Sequence, residues 1–298
     1  MVYLLVFLII ARFEFLFPFS AVGIAKELLV LVVVVLSFLA FNFIAQKNIL
    51  TDRNAYKLLF LVSFTCMLLP ALKNADIIIA NFFVLLALRR IISLKSQQDS
   101  IKKIFDASFL ICLASLFYFW TILFLFLVYF GVFIHLRRYG KLYLVPILAV
   151  LTAFTIATLV DLVYTDSFFY ISEWTEAANL DFSGYSEPAV FIPVSIILAI
   201  TIWSLFFYLV LIQRASGHNK SSLVIVLVCL FNALLVAVLG ESKDSGELLF
   251  YIAPLSIILS NYVQRLEDKW FRESLLVFAI LAPVLLLVFL NLAEGLLV

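Results

Sequence analysis

The sequence predicts an all-α protein, a polytopic bundle of transmembrane helices forming one integral-membrane domain over residues 1–298. Composition is the first reason. The chain is 66% hydrophobic and 13% charged, with a mean hydropathy of +1.20, against roughly 45–50% apolar and about 25% charged residues in soluble domains. The second is that the apolar residues fall in runs, too much surface for a soluble core of this length to hide. The third is that basic residues collect on alternate connections between those runs, as they do on one side of a membrane.

About eleven apolar segments can be read. They are Val2–Ala11, Leu28–Ile44, Leu58–Leu72, Ile77–Leu88, Ile104–Phe117, Phe119–His135, Leu142–Val160, Pro188–Ile212, Ser221–Leu239, Leu248–Val263 and Ser274–Leu292. Several are shorter than the roughly 20 residues of a full crossing, so they thin the bilayer, sit inside the bundle or stop part-way. The first has no basic region before it and no cleavage site, so it does not read as a signal peptide. Either that helix is short or the true start lies upstream.

The stretch Ile104–His135 is read as two helices. One helix would run about 48 Å, beyond a core of about 30 Å. Basic clusters at both ends (Lys102, Lys103; Arg137, Arg138, Lys141) want the same side of the membrane. A turn near Phe117–Trp120 satisfies both, with aromatics at the far interface.

This parity orients the chain. Arg89 and Arg90 anchor the cytoplasmic side, the amino terminus lies inside, and the carboxyl terminus lies outside. Of the 20 basic residues only Arg12, Lys26, Lys73 and Lys243 stay on the outer side, together with most of the 19 acids. The longest outer loop is Asp161–Glu187. Within it Phe168, Ile171, Trp174 and Ala178 share a helical face, which predicts a short amphipathic helix lying on the membrane surface after Asp166.

Candidate chemistry is confined to polar groups near membrane depth, which are costly there. On the outer side Glu14, Asp76, Asp161 and Glu247 are candidates for a general base, or for holding a divalent cation against a lipid phosphate. Arg12, Lys26, Lys73 and Lys243 are candidates for the phosphate or lipid headgroup itself. Asn74 reads as a helix cap, and Asp106 as the local partner of Lys102 and Lys103. The three cysteines lie inside apolar runs, and there are only two histidines, His135 and His218, so no haem or iron site is expected. The net charge of +1 gives no nucleic-acid footprint. Walker, Rossmann, nucleophile-elbow and zinc-protease signatures do not occur. The sequence does not reveal a reaction.

Three stretches carry a resemblance: NADIIIANFFVLLALRRIISL, KKIFDASFLICLASLFYFWTILF and GELLFYIAPLSIILSNYVQRLEDKW. They resemble an uncharacterised family of bacterial multi-pass inner-membrane proteins, which implies a bacterial inner-membrane address and brings no activity. Architecturally, the basic turn, short helix, aromatic turn, short helix and basic turn from Lys102 to Arg138 look like the helix pairs of polyprenyl-phosphate-sugar-dependent membrane glycosyltransferases. In that superfamily the first outer loop carries a catalytic acid, and Glu14 stands in the matching place, although the family's large first outer loop is missing.

Three functions follow as expectations. The first is envelope glycan assembly with a polyprenyl-phosphate-linked sugar at the outer leaflet. The second is a non-catalytic subunit or scaffold partnered by other inner-membrane proteins. The third is a transporter, with Pro146, Pro254 and Pro283 placed to kink spans.

Overall fold

The computed structural model describes residues 2–16, 21–166, 168, 174–241, 243 and 245–296. Among them every regular element is helical. The helices are α1 (Val2–Arg12), α2 (Ala21–Lys47), α3 (Tyr56–Met67), α4 (Leu69–Lys73), α5 (Ala75–Ile92) and α6 (Ser100–Phe117). They continue with α7 (Leu125–Leu136), α8 (Val145–Thr165), α9 (Pro188–Arg214), α10 (Gly217–Leu239), α11 (Leu249–Val263) and α12 (Lys269–Leu296).

Each predicted apolar segment is helical. Eight helical stretches are long and apolar enough to cross a bilayer, and on length and composition these belong to a membrane protein. α1 and α3 are shorter. α6 has the length but carries Lys102, Lys103 and Asp106 in its first turns.

Two breaks in the helices bear on the sequence reading, one expected and one not. After α6 the backbone at Tyr118 is extended, and a 3-10 turn, Phe119–Phe124, leads into α7. The chain therefore turns where the sequence placed the turn. Leu58–Leu72, read as one segment, is instead two helices. Leu68 leaves the helical region (φ −98°, ψ 66°) two residues before Pro70. Pro70 has no N–H to donate to the Cys66 carbonyl and its ring clashes with that carbonyl, so α3 cannot run on through it and α4 starts afresh with Pro70 in its first turn.

α11 is the axis of the bundle. Every one of its residues is buried, and α3, α5, α9 and α10 pack around it. It is apolar on all sides, as a fully enclosed helix must be. Its few polar groups bond internally. Ser256 Oγ donates to the Ile252 carbonyl at 2.7 Å, and Asn261 Nδ2 donates to Ile257 O at 2.9 Å and to Leu50 O at 2.7 Å. The periphery is the reverse. α8 exposes Leu151 and Val163, α9 exposes Ile202 and Phe206, and α12 exposes Leu285 and Phe289. Apolar surface on this scale calls for lipid.

The charges separate to opposite ends. Arg89 and Lys47 both lie over Phe43, Gln97 is bonded to the end of α7, and the 48–55 loop is tied to α11 by Asn261. These contacts gather the basic connections at one end, called here the basic end. Two cations there differ from the sequence reading. Asp106 pairs with Arg90 of α5 at 2.9 Å, while Lys103 donates to Ser93 O and Ser96 Oγ at 3.1 and 2.6 Å. A cross-helix partner wins because α5 and α6 are closely packed. Lys57 is fully buried, its Nζ on the Asn54 carbonyl at 3.2 Å.

Replacing Asn261 by leucine removes the side-chain donor to the buried Leu50 carbonyl. The expected loss is about 1–3 kcal/mol, read as a lower melting temperature of the purified protein in detergent. An unchanged melting temperature would contradict the pinning role given to Asn261.

Candidate functional site at the carboxylate-rich end

The opposite end is built from the α1 C-terminus, α4, the α5 N-terminus, the α6 C-terminus and the turn after α10. α4 packs on the 3-10 turn Gly246–Leu248, which joins these parts. Two polar clusters occur here.

The first lines a cavity of about 510 Å³. Arg12, Lys26, Lys73 and Asp76 all face it, together with Glu27 and Asn74. Three of the four predicted phosphate residues and one predicted acid thus come together from α1, α2, α4 and α5. Their states differ. Arg12 is 5% exposed and fully engaged. Its Nε and Nη2 donate to Glu27 at 2.5 and 2.8 Å, and its Nη1 donates to the Leu72 and Lys73 carbonyls at 3.2 and 2.7 Å. A bidentate arginine–carboxylate pair of this kind is strong and directional. Lys26 and Lys73 are exposed and form no ion pair or hydrogen bond among the described residues. Asn74 caps α5 as expected, its Oδ1 accepting from the backbone N–H of Asp76 at 3.0 Å and of Ile77 at 3.2 Å. The α5 dipole therefore adds positive potential to the same cavity. Glu14 lies in the 3-10 turn Phe13–Leu16, but its side chain is outside the described residues.

The second cluster surrounds the turn between α10 and α11. Glu247 is completely buried, and the Tyr185 hydroxyl donates to its Oε1 at 2.8 Å. Lys243 is 8% exposed, and its Nζ donates to Ala237 O and Val238 O at 2.9 and 2.7 Å, closing the α10 C-terminus. It also lies 4.9 Å from the centre of the Phe182 ring. Burial pushes the Lys243 pKa down, and Glu247 partly offsets this. Gly184 is required by this packing, because a Cβ there would stand 2.5 Å from the Lys243 carbonyl. Glu176 has a buried Oε2 with no hydrogen-bond partner among the described residues. Its pKa is raised, first by burial and then by the charge of Glu241.

Asp161 sits near the end of α8, which packs on α6 and α7 and lines neither cluster. Much of the predicted surface helix, including Ile171, falls on residues outside the description. Of its described members, Trp174 turns inward. Its Nε1 donates to Ser115 O at 2.8 Å, and its ring meets Phe119 edge-on at 5.1 Å.

Sequence reasoning missed Glu27 as the partner of Arg12, and the half-buried positions of Glu176 and Tyr185. No spacing rule links these residues, because each contact joins separate elements. Among the described residues no three His, Cys, Asp or Glu side chains converge to hold a metal ion. The exposed ammonium groups of Lys26 and Lys73 and the α5 N-terminus give the first cavity the charge and donors to receive an anion.

A carboxyl with a raised folded-state pKa is favoured in its protonated form. Its stabilising contribution is lost as pH rises from the ordinary carboxylate range through that raised value. Glu176→Gln is expected to raise stability at neutral pH and to flatten the melting temperature against pH above the ordinary carboxylate range. A steeper profile in the variant would contradict the assignment.

No curated protein and no solved structure matches the chain. A family model described as a family of unknown function (DUF6427) matches residues 1–295. With nearly its whole length covered, the chain belongs to that family.

Proposed function

We propose that this protein handles a lipid-linked phosphate, of the polyprenyl-phosphate-sugar type, in the assembly of envelope glycans at the outer leaflet of a bacterial inner membrane. The observation that carries this reading is the shared cavity of Arg12, Lys26, Lys73 and Asp76. Lys26 and Lys73 offer unpaired ammonium groups to a phosphate, while the Arg12–Glu27 pair fixes α1, α2 and α4 around them. Asp76, exposed on the first turn of α5, is the carboxylate placed to accept a proton from an acceptor hydroxyl or to share a divalent cation with the phosphate.

The topology that goes with it has eleven crossings, the amino terminus in the cytoplasm and the carboxyl terminus outside. The basic end then faces the cytoplasm, in keeping with the bias of lysine and arginine toward that side. A second reading, a non-catalytic subunit of a membrane complex, is favoured by one observation. Two of the four predicted headgroup cations, Arg12 and Lys243, are engaged by internal bonds.

The test is native mass spectrometry of the protein extracted gently from its own membrane. The expected result is a bound polyprenyl-phosphate species, reduced about tenfold in Lys26→Gln/Lys73→Gln, which corresponds to about 1.4 kcal/mol. Retention of the same lipid by the double variant would overturn the placement. Co-purification of a membrane protein without such a lipid would favour the subunit reading.

A further inference from the structure

At the basic end a separate groove of about 400 Å³ runs between α9 and α11. We propose that it is a binding site for an anionic glycerophospholipid, with the phosphate held by Arg214 and Arg265 and an acyl chain lying along Phe206 and Phe207. This site is independent of the cavity at the carboxylate-rich end.

Arg214 is the last residue of α9, and Arg265 follows α11 by two residues. Both line the groove, and no carboxylate does. Arg214 makes no hydrogen bond or ion pair among the described residues. Arg265 is held in one pose. Its Nη1 donates to Asn261 O at 2.8 Å and Oδ1 at 3.2 Å, so its other N–H groups remain available. Arginine presents its donors in a planar fork that fits phosphate oxygens.

Most of the remaining wall is apolar, with Phe206, Phe207, Tyr208 and Tyr262 beside Leu211 and Leu266. The Phe207 and Tyr262 rings lie 4.6 Å apart, and Trp203 Nε1 donates to the Tyr262 hydroxyl at 2.8 Å. The wall is thus fixed on the core helix α11, while Phe206 remains 66% exposed on the flank of α9. A soluble anion would use the arginines and leave this wall idle. A lipid uses both, and basic pockets between membrane helices are where anionic headgroups bind.

The experiment is thermal unfolding of the full chain in detergent, with added phosphatidylglycerol, phosphatidylcholine or inorganic phosphate. Phosphatidylglycerol is expected to raise the melting temperature and phosphatidylcholine is not. Arg214→Gln is expected to melt as the parent does without lipid and to lose most of the shift. Arg265→Gln is expected to act in the same direction. Because Arg265 also supports Asn261, Arg214→Gln decides if that second variant fails to fold. An equal phosphatidylglycerol shift in Arg214→Gln would overturn the site. A shift by inorganic phosphate as large as that by the lipid would overturn the lipid as its occupant.

Discussion

Broken helices leave carbonyl oxygens without intrahelical donors, and a bilayer supplies no water to satisfy them. This chain interrupts its helices repeatedly, and side chains from outside each interrupted helix supply the missing donors. Arg12 closes α4 at Leu72 and Lys73, and Lys243 closes α10 at Ala237 and Val238. Trp174 reaches Ser115 near the end of α6, Asn232 donates to Leu123 in the turn before α7, and Gln97 donates to His135. Asn261 does the same for Leu50 beside α11. Apart from Lys243, which closes the helix before it from five and six residues further on, each bond joins segments far apart in sequence. The short helices are therefore tied into one body by their own unsatisfied ends.

The same constraint sorts the cations by role. A guanidinium or ammonium held on two carbonyls inside the protein has few donors left for a ligand. Arg12 and Lys243 are in that state, and Arg12 has a buried carboxylate partner as well. Lys26 and Lys73 have no such engagement among the described residues and face the same cavity as Arg12. The structural cation thus builds the wall, and the exposed pair supplies the charge. Removing Arg12 would leave Glu27 and two carbonyls without their donor, a change in the fold of that end before any change in binding.

Much of this was legible in the sequence. The apolar runs marked the helices, the turn at Tyr118 followed from the length of Ile104–His135 and its flanking charges, and Asn74 was recognisable as a cap. The gathering of most lysines and arginines at one end also followed from counting. The interruption at Leu68 was signalled by Pro70 but hidden in a continuous apolar run. The partners were not legible. Glu27 for Arg12, Arg90 for Asp106 and Tyr185 for Glu247 depend on which helices pack together, and helix packing leaves no fixed spacing in the sequence. The enclosed position of α11 had a faint signal in its serines and Asn261, polar groups that a lipid-facing helix would not carry cheaply.

The proposed lipid-phosphate site depends on Lys26 and Lys73 meeting a phosphate in the cavity beside α5. The most direct measurement is a cryo-electron microscopy map of the protein in nanodiscs made from its own membrane. Headgroup density in contact with both lysines is expected, with Arg12 still paired to Glu27. A well-ordered map with only water in that cavity and the lysines turned to solvent would contradict it.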